Sequence, residues 1–156
     1  MQVEQVQITS LTQDPHNARK HGEKNLTAIK GSLKKFGQQK PIVVSDKNVV
    51  VAGNGTLAAA ISLGWETIGI IRTGLAGAAL KAFALADNRS SELAEWDQEE
   101  LDAALKDLRM EDFDLGEIGF DESQTPPLNI DNQDPSPPSN QSFCCPKCGF
   151  KFEIAK

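Results

Sequence analysis

No run in this 156-residue chain approaches the ~18 consecutive apolar residues that a bilayer-spanning helix requires. The amino terminus, MQVEQVQITS, has neither the basic segment nor the apolar segment of a secretory signal. A cytoplasmic protein with no membrane partner is expected. Cysteine is scarce too: the three present, Cys144, Cys145 and Cys148, crowd the carboxyl terminus. Disulfide frameworks of secreted domains spread an even number along the chain, so this cluster excludes one and leaves metal binding or no role. Positive charge is short overall, and a net charge of −6 taken as an average argues against a nucleic-acid partner. The average hides a division. Residues 1–90 carry 11 Lys and Arg against 6 Asp and Glu, whereas residues 91–156 carry 5 against 16. A basic half is followed by an acidic appendage, although an acidic tail that only keeps a small domain soluble would look the same.

The first half alternates between strand and helix patterns. Val3–Ile8 alternates apolar and polar, a half-buried strand. Thr9 to Glu23, with Asp14-Pro15-His16-Asn17, reads as loop. From Asn25 the period changes, and Leu26, Ile29, Leu33 and Phe36 share one helical face, closed by Gly37. Pro41–Val44 and Asn48–Ala52 are short β-branched strands joined by a polar turn. Thr56–Leu63 is helical and is stopped by Gly64; Thr67–Arg72 is a strand; Ala76–Asn88 has the composition of a helix. Asp97 starts another helix as its cap, with Leu101, Leu105 and Leu108 as the apolar stripe, and a short turn is expected at Leu115–Ile118. Phe36 and Trp65 are expected in the core.

This order predicts an α/β (α+β) domain over residues 1–90, with a mixed sheet and helices packed on it. An acidic helical extension follows at 91–120. Residues 121–142 hold five of the eight prolines and little that could bury, which predicts a disordered linker. Residues 143–156 are a separate Cys-containing tail.

The most informative segment is NVVVAGNGTLAAA, residues 48–60. A buried strand runs through Gly53-Asn54-Gly55 directly into a helix. The first N–H groups of that helix have no intrahelical partners, and the helix dipole adds positive potential there. Glycines let a phosphate approach such a turn without a Cβ in the way. An ordinary tight turn between strand and helix would read the same way.

The surrounding motifs narrow the choice. Asn17-Ala18-Arg19-Lys20-His21, then Lys34-Lys35-Phe36-Gly37-Gln38-Gln39, Pro41–Val44, Val51–Ala60, Leu63-Gly64-Trp65 and Ala86-Asp87-Asn88-Arg89 follow one another in the order seen in the ParB/sulfiredoxin superfamily. Residues 3–120 resemble the ParB N-terminal domain, particularly the nuclease-type phage and mobile-element branch whose members accompany DNA methyltransferases. The resemblance implies a groove that binds nucleotide or DNA phosphates. Arg19 and His21 would border it, Gly53, Asn54, Gly55 and Thr56 would form the phosphate turn, and Asn88 and Arg89 would supply a later polar motif. ParB proteins proper bind and hydrolyse CTP, so the resemblance also implies a nucleotide with magnesium. One departure stands out: the family's turn carries arginine where this chain has Thr56, and an arginine fork binds phosphate with charge-assisted bonds worth ~1.5–3 kcal/mol each. Thr56 offers one neutral hydroxyl, or a ligand that assists a metal ion. Sulfiredoxin chemistry is excluded because the turn has no cysteine. Centromere reading by a basic helix-turn-helix is excluded because the segment after residue 90 is acidic.

Three functions are carried forward. The first is binding of DNA or nucleotide phosphates at the turn, with Lys20, Lys30, Lys34 and Lys35 as the basic strip of a nucleic-acid interface. The second is hydrolysis of a nucleotide or nucleic acid at the same place, with His21 and Asp87 as candidate catalytic groups. The third is a non-catalytic adaptor whose acidic half docks a partner protein such as a DNA methyltransferase or terminase. In the tail, Cys145-Pro146-Lys147-Cys148-Gly149 resembles half of a zinc ribbon. Structural zinc takes four ligands, and one knuckle supplies two, so a second chain in a homodimer, or else a distant His, would complete the site.

Overall fold

In the computed structural model of the chain, whose described residues are 2–120 with the backbone strands at 142–144 and 151–153, the alternating amino-terminal segment forms β1 (Val3–Gln7). The expected loop from Thr9 contains two short elements. A 3-10 turn spans Ile8–Ser10, and β2 (Thr12–Gln13) pairs in parallel with a later strand. Helix α1 (Glu23–Phe36) starts two residues earlier than its apolar stripe suggests and stops at Gly37, whose φ of 68° suits glycine. The β-branched runs form β3 (Ile42–Val44) and β4 (Val49–Ala52). Then come α2 (Asn54–Ser62), β5 (Thr67–Arg72), α3 (Gly77–Leu93) and α4 (Gln98–Met110), with a 3-10 turn at Gly116–Ile118.

The five strands form one mixed sheet in the order β1-β5-β3-β4-β2. β1 runs antiparallel to β5, β5 parallel to β3, β3 antiparallel to β4, and β4 parallel to β2. Together with the four helices this is an α/β fold, as the alternating patterns imply. β3 begins only at Ile42, and the side chain of Gln38 stands in for the residue missing beside β5. Its amide donates to the Gly69 carbonyl at 2.8 Å and accepts from the Gly69 N–H at 2.7 Å. Two backbone groups that would otherwise be orphaned at a sheet gap are thereby paired.

The core lies on one face of the sheet. Ile42, Val44, Val50, Ile68 and Ile70 meet Leu33 of α1 and Leu57, Ala59 and Ala60 of α2. Each fully buried branched side chain there contributes roughly 1.5–3 kcal/mol. Trp65 packs against this cluster as expected. Phe36 does not: it is 45% exposed and stacks on Phe113, with ring centroids 6.1 Å apart. The helical period places Phe36 on the apolar stripe, but it is the last residue of α1, and Phe113 in the segment after α4 becomes its neighbour. That segment is brought in by Gly31, where any Cβ would collide with the Glu117 carbonyl.

On the opposite face α3 lies against β4 and buries none of its own residues. The domain boundary expected at residue 90 falls inside this helix. By contact, Met1–Pro126 form one unit and Pro127–Lys156 another. Within the second, the backbone strands β6 (Ser142–Cys144) and β7 (Lys151–Glu153) pair antiparallel, with Phe143 opposite Phe152. The linker expected over 121–142 falls almost wholly outside the described residues, as do Cys145 and Cys148.

Candidate phosphate-binding site

The turn after β4 is built by three residues with separate tasks. Gly53 has φ of 99°, a left-handed conformation, and a Cβ on it would strike the Ile42 side chain. Glycine is required there on both counts. Asn54 is 8% exposed; its side-chain amide donates to the Val50 carbonyl at 3.1 Å, and its oxygen accepts from the Asp14 N–H at 3.1 Å. This side chain fastens the 14–22 loop to the turn and is not free for a ligand. Gly55 lies under His21, and a Cβ there would come within 2.7 Å of the ring. The ring is held in turn by Asn25, 2.8 Å from Nδ1. The helical ladder starts with Leu57 N–H donating to the Gly53 carbonyl, and no side chain caps the N-terminus of α2. The N–H groups ahead of it, on Asn54, Gly55 and Thr56, precede the first ladder bond.

Arg19 and the α3 motif meet. Arg19 Nη1 donates to the Asn88 side-chain oxygen at 3.3 Å and to the Asn88 carbonyl at 3.4 Å. It also faces Glu92 at 3.8 Å, and the same carboxylate takes Arg89 at 3.3 Å. Glu92 carries no signal in the sequence beyond lying one turn past Asn88. Asp87 is exposed, and its main-chain carbonyl accepts from the Ser90 and Ser91 hydroxyls.

Thr56 faces elsewhere. It lines a smaller hollow of about 330 Å³ beside α1, with Ser32, Gln38 and Lys40, and no carboxylate belongs to that lining. The residues around its hydroxyl therefore do not fit a magnesium site. Among the described residues no group of three His, Cys, Asp or Glu side chains is placed to hold a metal. The lysines divide. Lys20 and Lys34 are exposed and Lys30 is half-buried, whereas Lys35 bonds Glu117 at 3.1 Å and lies 3.5 Å above the Phe113 ring.

A groove of about 670 Å³ lies between α3 and the outer face of the sheet. Val49 and Val51 of β4 and Leu80 and Ala84 of α3 supply apolar walls, while Asp14 and Asn88 stand at its polar margin. Of the residues assigned from sequence, Asn88 alone lines it. Asp14 and Asn88 are also the residues that touch Asn54 and Arg19, so the groove adjoins the turn.

The ParB N-terminal domain model matches residues 1–89, more than half of the chain. The chain belongs to the ParB N-terminal domain family. Among individual ParB relatives, the ParB-like nuclease domain-containing protein YnaK of Escherichia coli K12 is 30% identical over 64 residues, which is 41% of this chain and 74% of YnaK. The fold matches C-terminally truncated chromosome-partitioning ParB from Caulobacter crescentus, in complex with CTP-gamma-S, with a TM-score of 0.67 and 23% identity, over 80% of this chain and 74% of that one. The same ParB in complex with the centromeric parS site superposes with a TM-score of 0.48 and 23% identity, over 69% and 57%. Within this ParB domain no described helix is long and apolar enough to cross a membrane.

Proposed function

We propose that this ParB N-terminal domain binds a nucleotide phosphate, free or within DNA, at the N-terminus of α2, with the remainder of the nucleotide in the groove under α3. The observation that supports the reading is an uncapped, glycine-opened turn tied through Asn54 to Asp14 on the lining of an apolar groove, on which Asn88, the partner of Arg19, also stands. The helix N-terminus contributes about 0.3–1 kcal/mol to an exposed anion. A guanidinium hydrogen bond adds roughly 1.5–3 kcal/mol. A relative on this fold was solved in complex with CTP-gamma-S, which supports a nucleotide as the ligand class.

Calorimetric titration of the full chain with CTP, CMP and a short DNA duplex across a salt series tests this. Salt-sensitive binding that falls on Arg19→Ala is expected. Binding that ignores both salt and Arg19 would remove the site from the reading.

A hydrolytic version has one observation in its favour, the His21 ring seated over Gly55 at the mouth of the turn, and one relative named for a nuclease domain. Turnover of CTP or plasmid that disappears in His21→Ala while binding persists would establish it. In the tail, Cys145 and Cys148 fall in the sequence between β6 and β7, which pair antiparallel. Half an equivalent of zinc per chain, measured on the purified protein, is the outcome expected of a shared site in a homodimer.

A further inference from the structure

Glu92 is held by two arginines that approach from different elements. Arg19 comes from the 14–22 loop to one carboxylate oxygen, at 3.8 Å, and Arg89 comes from one turn earlier on α3 to the other, at 3.3 Å. A carboxylate that takes one guanidinium on each oxygen occupies the position in which two arginines would share a phosphate. We propose that Glu92 is an internal competitor for that phosphate, and that it limits the ligand's useful charge: a triphosphate gains no advantage over a singly phosphorylated nucleotide. The inference rests on the phosphate-binding reading above and adds the residue that limits it.

With Thr56 in the turn, Arg19 and Arg89 are the cations assigned to the site, and Glu92 offsets one of them before any ligand arrives. The adjoining groove supplies no surplus, since Asp14 and Asp46 on its lining stand against Lys47 and Lys81. A ligand entering this environment finds little positive potential to neutralise a chain of phosphates, and each further negative charge meets Glu92. One phosphate group can displace the carboxylate and take over both guanidinia. Arg19 and Glu92 have side-chain exposures of 41% and 49%, so water screens the contact and exchange of one anion for the other is accessible.

The test is titration of the full chain, wild type and Glu92→Gln, with CMP and with CTP at low ionic strength. The wild type is expected to bind CTP within about twofold of CMP, and Glu92→Gln to tighten CTP roughly threefold to fivefold, the range exposed ion pairs support, with a smaller gain for CMP. In an Arg19→Gln background most of that gain should vanish, because the competitor acts through Arg19. A wild type that prefers CTP by more than about tenfold, or a Glu92→Gln variant with unchanged CTP affinity, overturns the proposal. If no nucleotide binds either protein, the phosphate-binding reading fails and this inference goes with it. Hydrogen exchange without ligand then reports on the contact itself: faster exchange over residues 14–22 in Glu92→Gln retains Glu92 as the tether of the loop, and unchanged exchange removes even that.

Discussion

The two faces of the sheet are built to different standards. On one, α1 and α2 seal Ile42, Val44, Val50, Ile68 and Ile70, and these side chains are at most 2% exposed. On the other, α3 runs for 17 residues without burying one, and a groove of about 670 Å³ separates it from Val49 and Val51. Leu85 and Leu93 of this helix remain 59% and 65% exposed. A helix that contributes so little to the core is held by its ends and by polar ties such as Arg19 to Asn88. The first face supplies stability and a rigid platform for the turn at Gly53. The second supplies volume and a wall that can adjust. Binding sites are drawn from regions of low local stability supported by a well-packed scaffold, and under the proposed phosphate-binding reading the two sides of one sheet divide those roles.

The sharpest way to break this comparison is to truncate a side chain on each face. Ile70→Ala, from a residue with no exposed surface, should cost about 2–5 kcal/mol in denaturant unfolding, as transfer and cavity terms add. Leu85→Ala on α3 should fall within about 0.5 kcal/mol of wild type. Equal losses would mean that α3 belongs to the core after all. The reverse pattern is expected for ligand. Arg19→Ala should weaken nucleotide binding by about 1.5–3 kcal/mol, the worth of a charge-assisted hydrogen bond. Its effect on unfolding should stay under about 1 kcal/mol, because its partners are exposed. Titration calorimetry and a urea melt on one preparation separate the two.

Gly31→Ala sharpens the comparison from the packed side. Alanine is the better helix former by about 1 kcal/mol, so at an exposed position on α1 it would stabilise. Here it meets the Glu117 carbonyl, and a net loss of roughly 1–3 kcal/mol is expected from overpacking. The Lys35–Glu117 bond at 3.1 Å reports on the same joint. The coupling between Lys35→Ala and Glu117→Ala, measured as a double-mutant cycle, should vanish in the Gly31→Ala background if the 3-10 turn has been pushed away.

Elements with a clean period were legible in the sequence. The alternation of β1, the stripe of α1, the β-branched runs of β3 and β4 and the glycine turn before α2 all appear where local pattern puts them, within two residues. Three features were not legible, each for a tertiary reason. Thr12–Gln13 has no strand pattern and pairs only because the loop passes the free edge of β4. The continuation of α3 to Leu93 passes the end at Asn88 that composition suggests, because residues 89–93 carry no stop signal. Gly31 looks like a flaw inside a helix until Glu117 arrives 86 positions later. For the site, Arg19 and Asn88 meet, and Gly53 adopts a left-handed φ of 99°, which the sequence pattern does not reveal. Asn54 and Thr56 were read as part of a phosphate turn, but one side chain is used inward and the other faces the second hollow. Sequence spacing specifies which residues follow a turn; it does not specify toward which side of a buried helix each one points. Glu92 went unseen because its meaning depends on two arginines 73 and 3 positions away.

The smallest effect decides to which side of the comparison the acidic extension belongs. Asp97 caps α4 as its position suggested, accepting from the Glu99 and Glu100 N–H groups at 3.1 and 3.3 Å. Loss of such a cap in Asp97→Ala costs about 0.5–2 kcal/mol of helix stability. How that loss is felt depends on coupling. Leu105 of α4 is 2% exposed and Leu115 after it 7%, burial of the kind seen on the α1–α2 face and absent from α3. If that burial ties α4 to the core, α4 unfolds with the core and the whole cost appears in the global urea midpoint. If α4 opens alone, the midpoint stays fixed and hydrogen exchange accelerates only over residues 98–110. The burial of Leu105 favours the first outcome. An extension that unfolds with the core presents its acidic residues from a rigid support, so the adaptor role proposed for this half would then require a partner that fits a fixed surface, not one that folds a loose tail.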